Sequence, residues 1–323
     1  MSELSKLPRV AVMGGGAVGC YFGGMLARAG AVVTLIGRPA HVEVIARDGL
    51  WFEGLQFQQS MPMHASTDVA ACAGAELVLM CVKTPDTEAA TREIAPYLAP
   101  DALVLSLQNG VENAALIQRQ CRNQVAAAVV YVACAMSGPG RLKHTGRGDL
   151  LIGGEVASER LQGLAAIFER AAVPCKVSGN IEGDLWGKLL INCAYNAISA
   201  LGRARYHRLV AVPESRSLMQ GVIAEVLAVA SAAGVSMPPG DWSNVGIGLA
   251  AAMPQATSST AQDLARGKRT EIDHLNGLIV RRGTELGVPV PLNGALYALT
   301  KLLEDSVCGQ QAEQAPPPRT AGQ

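Results

Sequence analysis

Residues 8–36 read PRVAVMGGGAVGCYFGGMLARAGAVVTLI. Residues 8–13 form a short apolar run rich in strand-forming side chains, and residues 31–36 form a second. Between them a glycine-rich turn feeds a helix that stops at Gly30. This is a βαβ unit of about thirty residues, the connection that parallel strands require. Gly14, Gly16 and Gly19 give the spacing G-x-G-x-x-G at the end of the first strand. The first glycine permits a tight turn, the second lets backbone approach a pyrophosphate, and the third lets the helix sit close to the strand. Ala17 and Val18 open the helix, whose N–H groups face the phosphates. The competing reading is a glycine-rich turn with no ligand.

The second strand ends in Gly37-Arg38, where an NAD-binding chain would carry a carboxylate for the ribose 2′-hydroxyl. A guanidinium instead matches a 2′-phosphate, which makes NADPH the expected cofactor. A solvated surface arginine is the alternative for Arg38.

Outward from this unit, strand and helix continue to alternate. A helix is expected over 39–47, a hairpin insertion around Glu53-Gly54, and a strand over 77–83 followed by a helix over 86–98. Further strands are read at 103–107, 125–135 and 174–178, with a hairpin over 138–154 and a helix over 158–171. This order predicts a doubly wound, mostly parallel Rossmann-type sheet. Beyond residue 180 the periodicity is helical, with helices expected at 182–202, 214–234, 241–252, 258–267, 270–286 and 292–305. The expected organisation is a Rossmann domain over 1–180, an all-α domain over 181–307 and a polar, proline-rich, disordered tail over 308–323.

Composition narrows the function classes. The chain has 323 residues with 27 basic and 27 acidic side chains, so no net charge draws it to nucleic acid or to an anionic membrane. Aromatic residues make up only 4%, too few for a base-stacking surface. No signal-type apolar segment and no spanning stretch is read, and the eight cysteines lack metal-ligand spacing, as do the five histidines. Free thiols in a reducing cytoplasm are the expectation.

A second signal lies in Asp184–Gly202, DLWGKLLINCAYNAISALG. Lys188, Asn192 and Asn196 recur at i, i+4 and i+8 on an otherwise apolar helix, so they share one face. Buried there, a lysine and two carboxamides would need partners, as a ligand-facing stripe provides. A solvent-facing stripe on an amphipathic helix is the other reading. Downstream, SSTAQDLARGKRTEID carries Ser258, Ser259, Asp263, Glu271 and Asp273. Glu271 follows Thr270, a candidate N-cap, so a role against the helix dipole competes with a role in a site. Asn109 follows a strand at the carboxyl edge of the sheet, where open α/β folds bind ligands, although Asn-Gly is also a strong turn signal.

Together GGGAVG, Arg38, LQNGVEN, LWGKLLINCAYNAISAL and SSTAQDLARGKRTEID resemble the ketopantoate reductases (2-dehydropantoate 2-reductases), in order and over nearly the whole chain. The resemblance implies a Rossmann domain joined to an all-helical domain and reduction of 2-dehydropantoate to pantoate with NADPH. It assigns Lys188 as the catalytic lysine, Glu271 as a catalytic-site glutamate, and Asn192, Asn196 and Ser259 as substrate contacts. It places Asn109 near nicotinamide and substrate, and Arg38 and Lys83 toward NADPH. The expected partner is a small 2-oxo acid, with a homodimer as the assembly and no metal. The alternatives are a related NADPH-dependent reductase of another 2-oxo acid, and a dinucleotide-sensing protein without turnover.

Overall fold

Parallel strands covered on both faces are buried along their whole length, and the central strands of this chain follow that rule. The first half runs β1 (Val10–Met13), α1 (Ala17–Arg28), β2 (Val33–Ile36), α2 (Pro39–Asp48), β3 (Leu50–Glu53), β4 (Gln58–Met61), β5 (His64–Ser66) and β6 (Leu77–Met80). It continues α3 (Thr87–Ile94), β7 (Leu103–Ser106), α4 (Asn113–Gln120), β8 (Val125–Gly138), β9 (Arg141–Gly153), α5 (Ser158–Arg170) and β10 (Cys175–Val177). Every residue of β1, β6 and β7 is buried.

The computed structural model describes residues 7–314. The strands form one sheet in the order β4-β3-β9-β8-β7-β6-β1-β2-β5, with β10 paired to β9 off that path. From β8 to β5 all pairings are parallel, while β8 and β9 form a long antiparallel hairpin. Alternation along each strand splits the apolar side chains into two cores. Val10, Val12, Leu35, Leu79 and Leu105 pack with Phe22 and Leu26 of α1 and Phe168 of α5. Ala11, Met13, Val78, Met80 and Val104 pack with Ala90 and Ile94 of α3 and Ile117 of α4. This is the doubly wound arrangement expected from the βα alternation.

Some elements differ from the sequence reading. The hairpin insertion forms as β3 and β4 but also extends the main sheet, because β3 pairs in parallel with β9. Strand β5 and helix α4 have no counterpart in the reading. β5 spans only three residues, too few to show alternation.

The chain divides into two compact units between Leu185 and Trp186, within α6 (Ile181–Leu201). The sequence reading draws its boundary at 180/181. The second unit continues with α7 (Tyr206–Ala211), α8 (Pro213–Ala232), α9 (Trp242–Ala252), α10 (Ser259–Ala265), α11 (Asn276–Leu286) and α12 (Pro291–Gln314). Among the described residues no strand follows β10.

Two expectations are corrected here. The helix expected over 270–286 begins only at Asn276. Residues 270–275 form a turn with one 3-10 segment, Ile272–His274, so Glu271 does not occupy the first turn of an α-helix. Helix α12 also runs past residue 308 to Gln314, through the start of the predicted disordered tail. Residues 315–323 lie outside the described residues.

A Cβ on Gly19 would lie 2.1 Å from the Gly14 carbonyl oxygen and 2.9 Å from Val12 Cγ1. Helix propensity alone favours Gly19→Ala by roughly 0.5–1 kcal/mol. The clash reverses that sign, with an expected loss of about 1–3 kcal/mol, read as a lower midpoint in urea unfolding.

Candidate functional site

In the first unit β1 lies between β2 and β6, which is the point where the strand order turns back and where open α/β sheets bind ligands. Gly14 sits there at φ +116°, and a Cβ on it would meet the Cys81 carbonyl carbon and Val82 nitrogen at 2.7 Å. Its N–H donates to the Ile36 carbonyl at 2.9 Å. Gly37 also packs tightly on the loop, since its Cβ would lie 3.3 Å from Gly15 Cα. The glycine loop therefore touches the ends of both flanking strands, which carry Arg38 and Lys83 out of the sheet.

The same loop suits a dinucleotide. Gly16 is exposed, and a Cβ there would meet nothing within 4 Å. It is the N-cap of α1, with no side-chain capping bond and no acid in the first turn, so no carboxylate competes with a phosphate at Ala17 and Val18. Arg38 and Lys83 are both exposed, Arg38 as the N-cap of α2 and Lys83 at the head of the 3-10 turn Thr84–Asp86.

Asn109 is held by a network of buried side chains missing from the sequence reading. The Gln108 amide donates to the Val82 carbonyl at 2.9 Å and to Thr87 Oγ1 at 2.7 Å, and accepts from Ser106 Oγ at 3.0 Å. Thr87 donates to Asn113 Oδ1 at 3.0 Å. Asn113 Nδ2 in turn donates to Thr84 Oγ1 at 3.2 Å and to the Asn109 carbonyl at 2.6 Å. Thr84, Thr87, Ser106, Gln108 and Asn113 are all buried. The network ties the turn carrying Lys83 to the turn carrying Asn109. Its sequence signal was a set of amides and hydroxyls immediately after two apolar strands.

In the second unit α6 presents the polar stripe. Lys188 and Asn192 are half-buried, and Asn196 is 4% exposed. Asn196 Nδ2 donates to Ser259 Oγ at 3.5 Å, so two of the predicted substrate residues meet. The neighbouring Ser258 has a different task. Its hydroxyl donates to the Asn196 carbonyl at 3.0 Å and accepts from the Ala261 N–H as the N-cap of α10. That cap turns Ser259 outward while Ser258 is fully buried. Beside Lys188, Gly187 admits the Trp242 ring, whose Cη2 would lie 2.4 Å from an added Cβ. Where α6 begins, in the first unit, Asn180 Oδ1 caps the Gly183 N–H at 3.1 Å and Ser178 Oγ donates to Asp184.

Glu271 is half-buried in the turn before α11. Thr270 Oγ1 accepts from the Ile272 N–H at 3.2 Å, which closes a local turn rather than capping a helix. Asp273 bonds to Tyr297 and Lys301, and these bonds outweigh the effect of burial and hold its carboxyl below the usual range.

Nucleophilic chemistry is disfavoured at three of the cysteines. Burial pushes the thiols of Cys20, Cys134 and Cys175 up to about 12, where little thiolate forms at neutral pH. Among the described residues no cluster of His, Cys, Asp and Glu could hold a metal ion, and no helix is long and apolar enough to cross a membrane.

Comparison with known proteins agrees with this construction. A family model described as "Ketopantoate reductase PanE/ApbA" matches residues 10–155, and its C-terminal counterpart, "Ketopantoate reductase PanE/ApbA C terminal", matches residues 180–304. The 2-dehydropantoate 2-reductase of Halobacterium salinarum is 32% identical over 303 residues, covering 92% of this chain and 99% of that protein. A crystal structure of a PanE/ApbA family ketopantoate reductase from Ralstonia eutropha JMP134 matches with a TM-score of 0.88 at 53% identity, covering 93% and 99% of the two chains. A D-mandelate dehydrogenase in a ternary structure with NADH and anilino(oxo)acetate matches with a TM-score of 0.86 over 93% and 99%, at 23% identity, a likeness of fold alone. The chain belongs to the ketopantoate reductase family, whose members are oxidoreductases.

Proposed function

We propose that this chain reduces 2-dehydropantoate to pantoate with NADPH, and so serves the synthesis of pantothenate. The strongest support is the α6 stripe, where Lys188 is aligned with Asn192 and Asn196 and Asn196 is bonded to Ser259. In this reading the Rossmann unit takes the dinucleotide and the helical unit takes the 2-oxo acid.

When bound, NADPH supplies a hydride for the C2 carbonyl. Negative charge then grows on the carbonyl oxygen. The Lys188 ammonium stabilises that charge and passes a proton to the oxygen, which becomes the product hydroxyl. The half-buried setting of Lys188 strengthens both effects, because less water competes for the charge. Asn192, Asn196 and Ser259 offer amide and hydroxyl groups to the substrate carboxylate and hydroxyl. Glu271 accepts from a substrate hydroxyl or orients the lysine. Asn109 lies on the nicotinamide side in this reading, with its turn held by Asn113 and Thr84. Gly14, Gly16, Ala17, Val18 and Gly19 form the pyrophosphate cradle, with Arg38 for the 2′-phosphate and Lys83 beside it.

The fold does not select the side chain of the 2-oxo acid, since D-mandelate dehydrogenase shares it. A homodimer belongs to the same proposal, supported by Leu299 and Leu302, which are 51% and 65% exposed three residues apart on α12.

NADPH oxidation, followed by absorbance across a panel of 2-oxo acids, tests the reading. The highest kcat/KM is expected with 2-dehydropantoate; preference for another acid selects the related reductase, and no oxidation with any acid selects the sensor. Lys188→Ala is expected to lower kcat by about 100- to 10,000-fold while NADPH affinity stays nearly constant. Near-normal turnover in that variant removes the proton-donor assignment. Arg38→Asp is expected to shift the ratio of NADPH to NADH affinity by about 10- to 100-fold toward NADH. An unchanged ratio would place the 2′-phosphate elsewhere.

A further inference from the structure

Helix α12 directs Tyr297, Lys301 and Glu304 to one side, at spacings i, i+4 and i+7. All three bond to the turn that carries Glu271. Glu304 is 4% exposed, and a buried carboxylate needs partners. Its Oε1 accepts from the Thr270 N–H and its Oε2 accepts from Lys301 Nζ at 2.9 Å. The same Lys301 Nζ donates to Asp273 Oδ2 at 2.9 Å, and Tyr297 Oη donates to Asp273 Oδ1 at 2.6 Å. Arg281 Nη1 donates to the Asp273 carbonyl at 2.8 Å. Gly277 makes room for this, because a Cβ there would lie 2.9 Å from the Tyr297 ring.

The chain is therefore gripped on both sides of Glu271. Before it, Thr270 is buried and its N–H is taken by Glu304. After it, Ile272 is fully buried and Asp273 is held by α12. Residues 270–275 hold only local 3-10 and turn bonds, His274 N–H to the Glu271 carbonyl and Leu275 N–H to the Ile272 carbonyl, so side chains of another helix fix where the turn stands. Lys301 and Asp273 are both more than a third exposed, where an ion pair adds little to stability, so a stability role explains their bond poorly. A role in geometry explains why the bonds converge on residues 270 and 273.

We propose that Glu304, acting with Lys301 and Asp273, is a positioning residue that fixes where the Glu271 carboxylate stands during reduction. The proposal rests on the assignment of Glu271 made above. Glu304 itself touches neither substrate nor cofactor in this account. Glu304→Gln keeps an oxygen for the Thr270 N–H but sets an uncharged amide against Lys301, which loosens the turn.

The test is steady-state kinetics on the full chain with NADPH and 2-dehydropantoate, for Glu304→Gln, Asp273→Asn, Glu271→Gln and the double variant Glu304→Gln/Glu271→Gln. Far-UV circular dichroism and urea unfolding serve as the control for folding of the helical unit, and NADPH fluorescence titration as the control for cofactor binding. Glu304→Gln is expected to lower kcat/KM by about 10- to 100-fold, the range that misplacement of a reacting geometry produces. NADPH affinity should stay within about twofold, and Glu304→Gln should add less than about twofold in the Glu271→Gln background. A normal kcat/KM in Glu304→Gln, or a loss that multiplies fully with that of Glu271→Gln, overturns the positioning role. Normal turnover in Glu271→Gln overturns the assignment of Glu271 and the positioning role with it. If Glu304→Gln does not fold, the same comparisons are read from Asp273→Asn, which keeps an oxygen for Tyr297.

Discussion

The first unit depends on a contact between two stretches of backbone. Helix α1 lies so close to the end of β1 that the Gly14 carbonyl occupies the space any side chain at residue 19 would need. Nothing but hydrogen on Cα fits there. That approach brings the start of α1 beside the ends of β1, β2 and β6, where the strand order turns back. Arg38 and Lys83 follow from it, since each leaves the sheet at one of those strand ends. A wider separation of helix and sheet would still bury a core, but it would not present a helix terminus at the turning point.

The two units solve a common problem with the same kind of material. Loops have little regular structure of their own, so their backbone must be held from outside. In the first unit Gln108, Thr87 and Asn113 hold the turns of Lys83 and Asn109. In the second, Ser258 and Ser199 hold the approach to α10, through the Asn196 carbonyl and the Ser258 N–H respectively. Both sets are buried, and both consist of uncharged amides and hydroxyls. Once buried and bonded, such side chains place a backbone atom with little spread.

The legible parts of the sequence were those with a short repeat. Three glycines at fixed spacing announced the βαβ unit, and the 3.6-residue period exposed the stripe of Lys188, Asn192 and Asn196 along α6. The turn at 270–275 was misread because Ile272, Leu275 and Ile279 continue an apolar period across it, although the α-helix starts at Asn276. Gln108 and Thr87 carry no local signal of their role, because the bonds that join the two turns span 21 and 26 residues. Strand β5 is a product of pairing with β2, with no preference of its own that three residues could express. The fold was thus visible through periodicity, whereas the supports of the site were contacts between distant segments.

The borders of the sheet have a further consequence. Its outer strands are β4, whose first three residues are exposed polar side chains, and the three-residue β5, with the equally short β10 beside β9. Short, polar borders offer a poor template for another chain to zip onto. Crowded copies of this protein thus have little route into ribbon-like aggregates by strand addition.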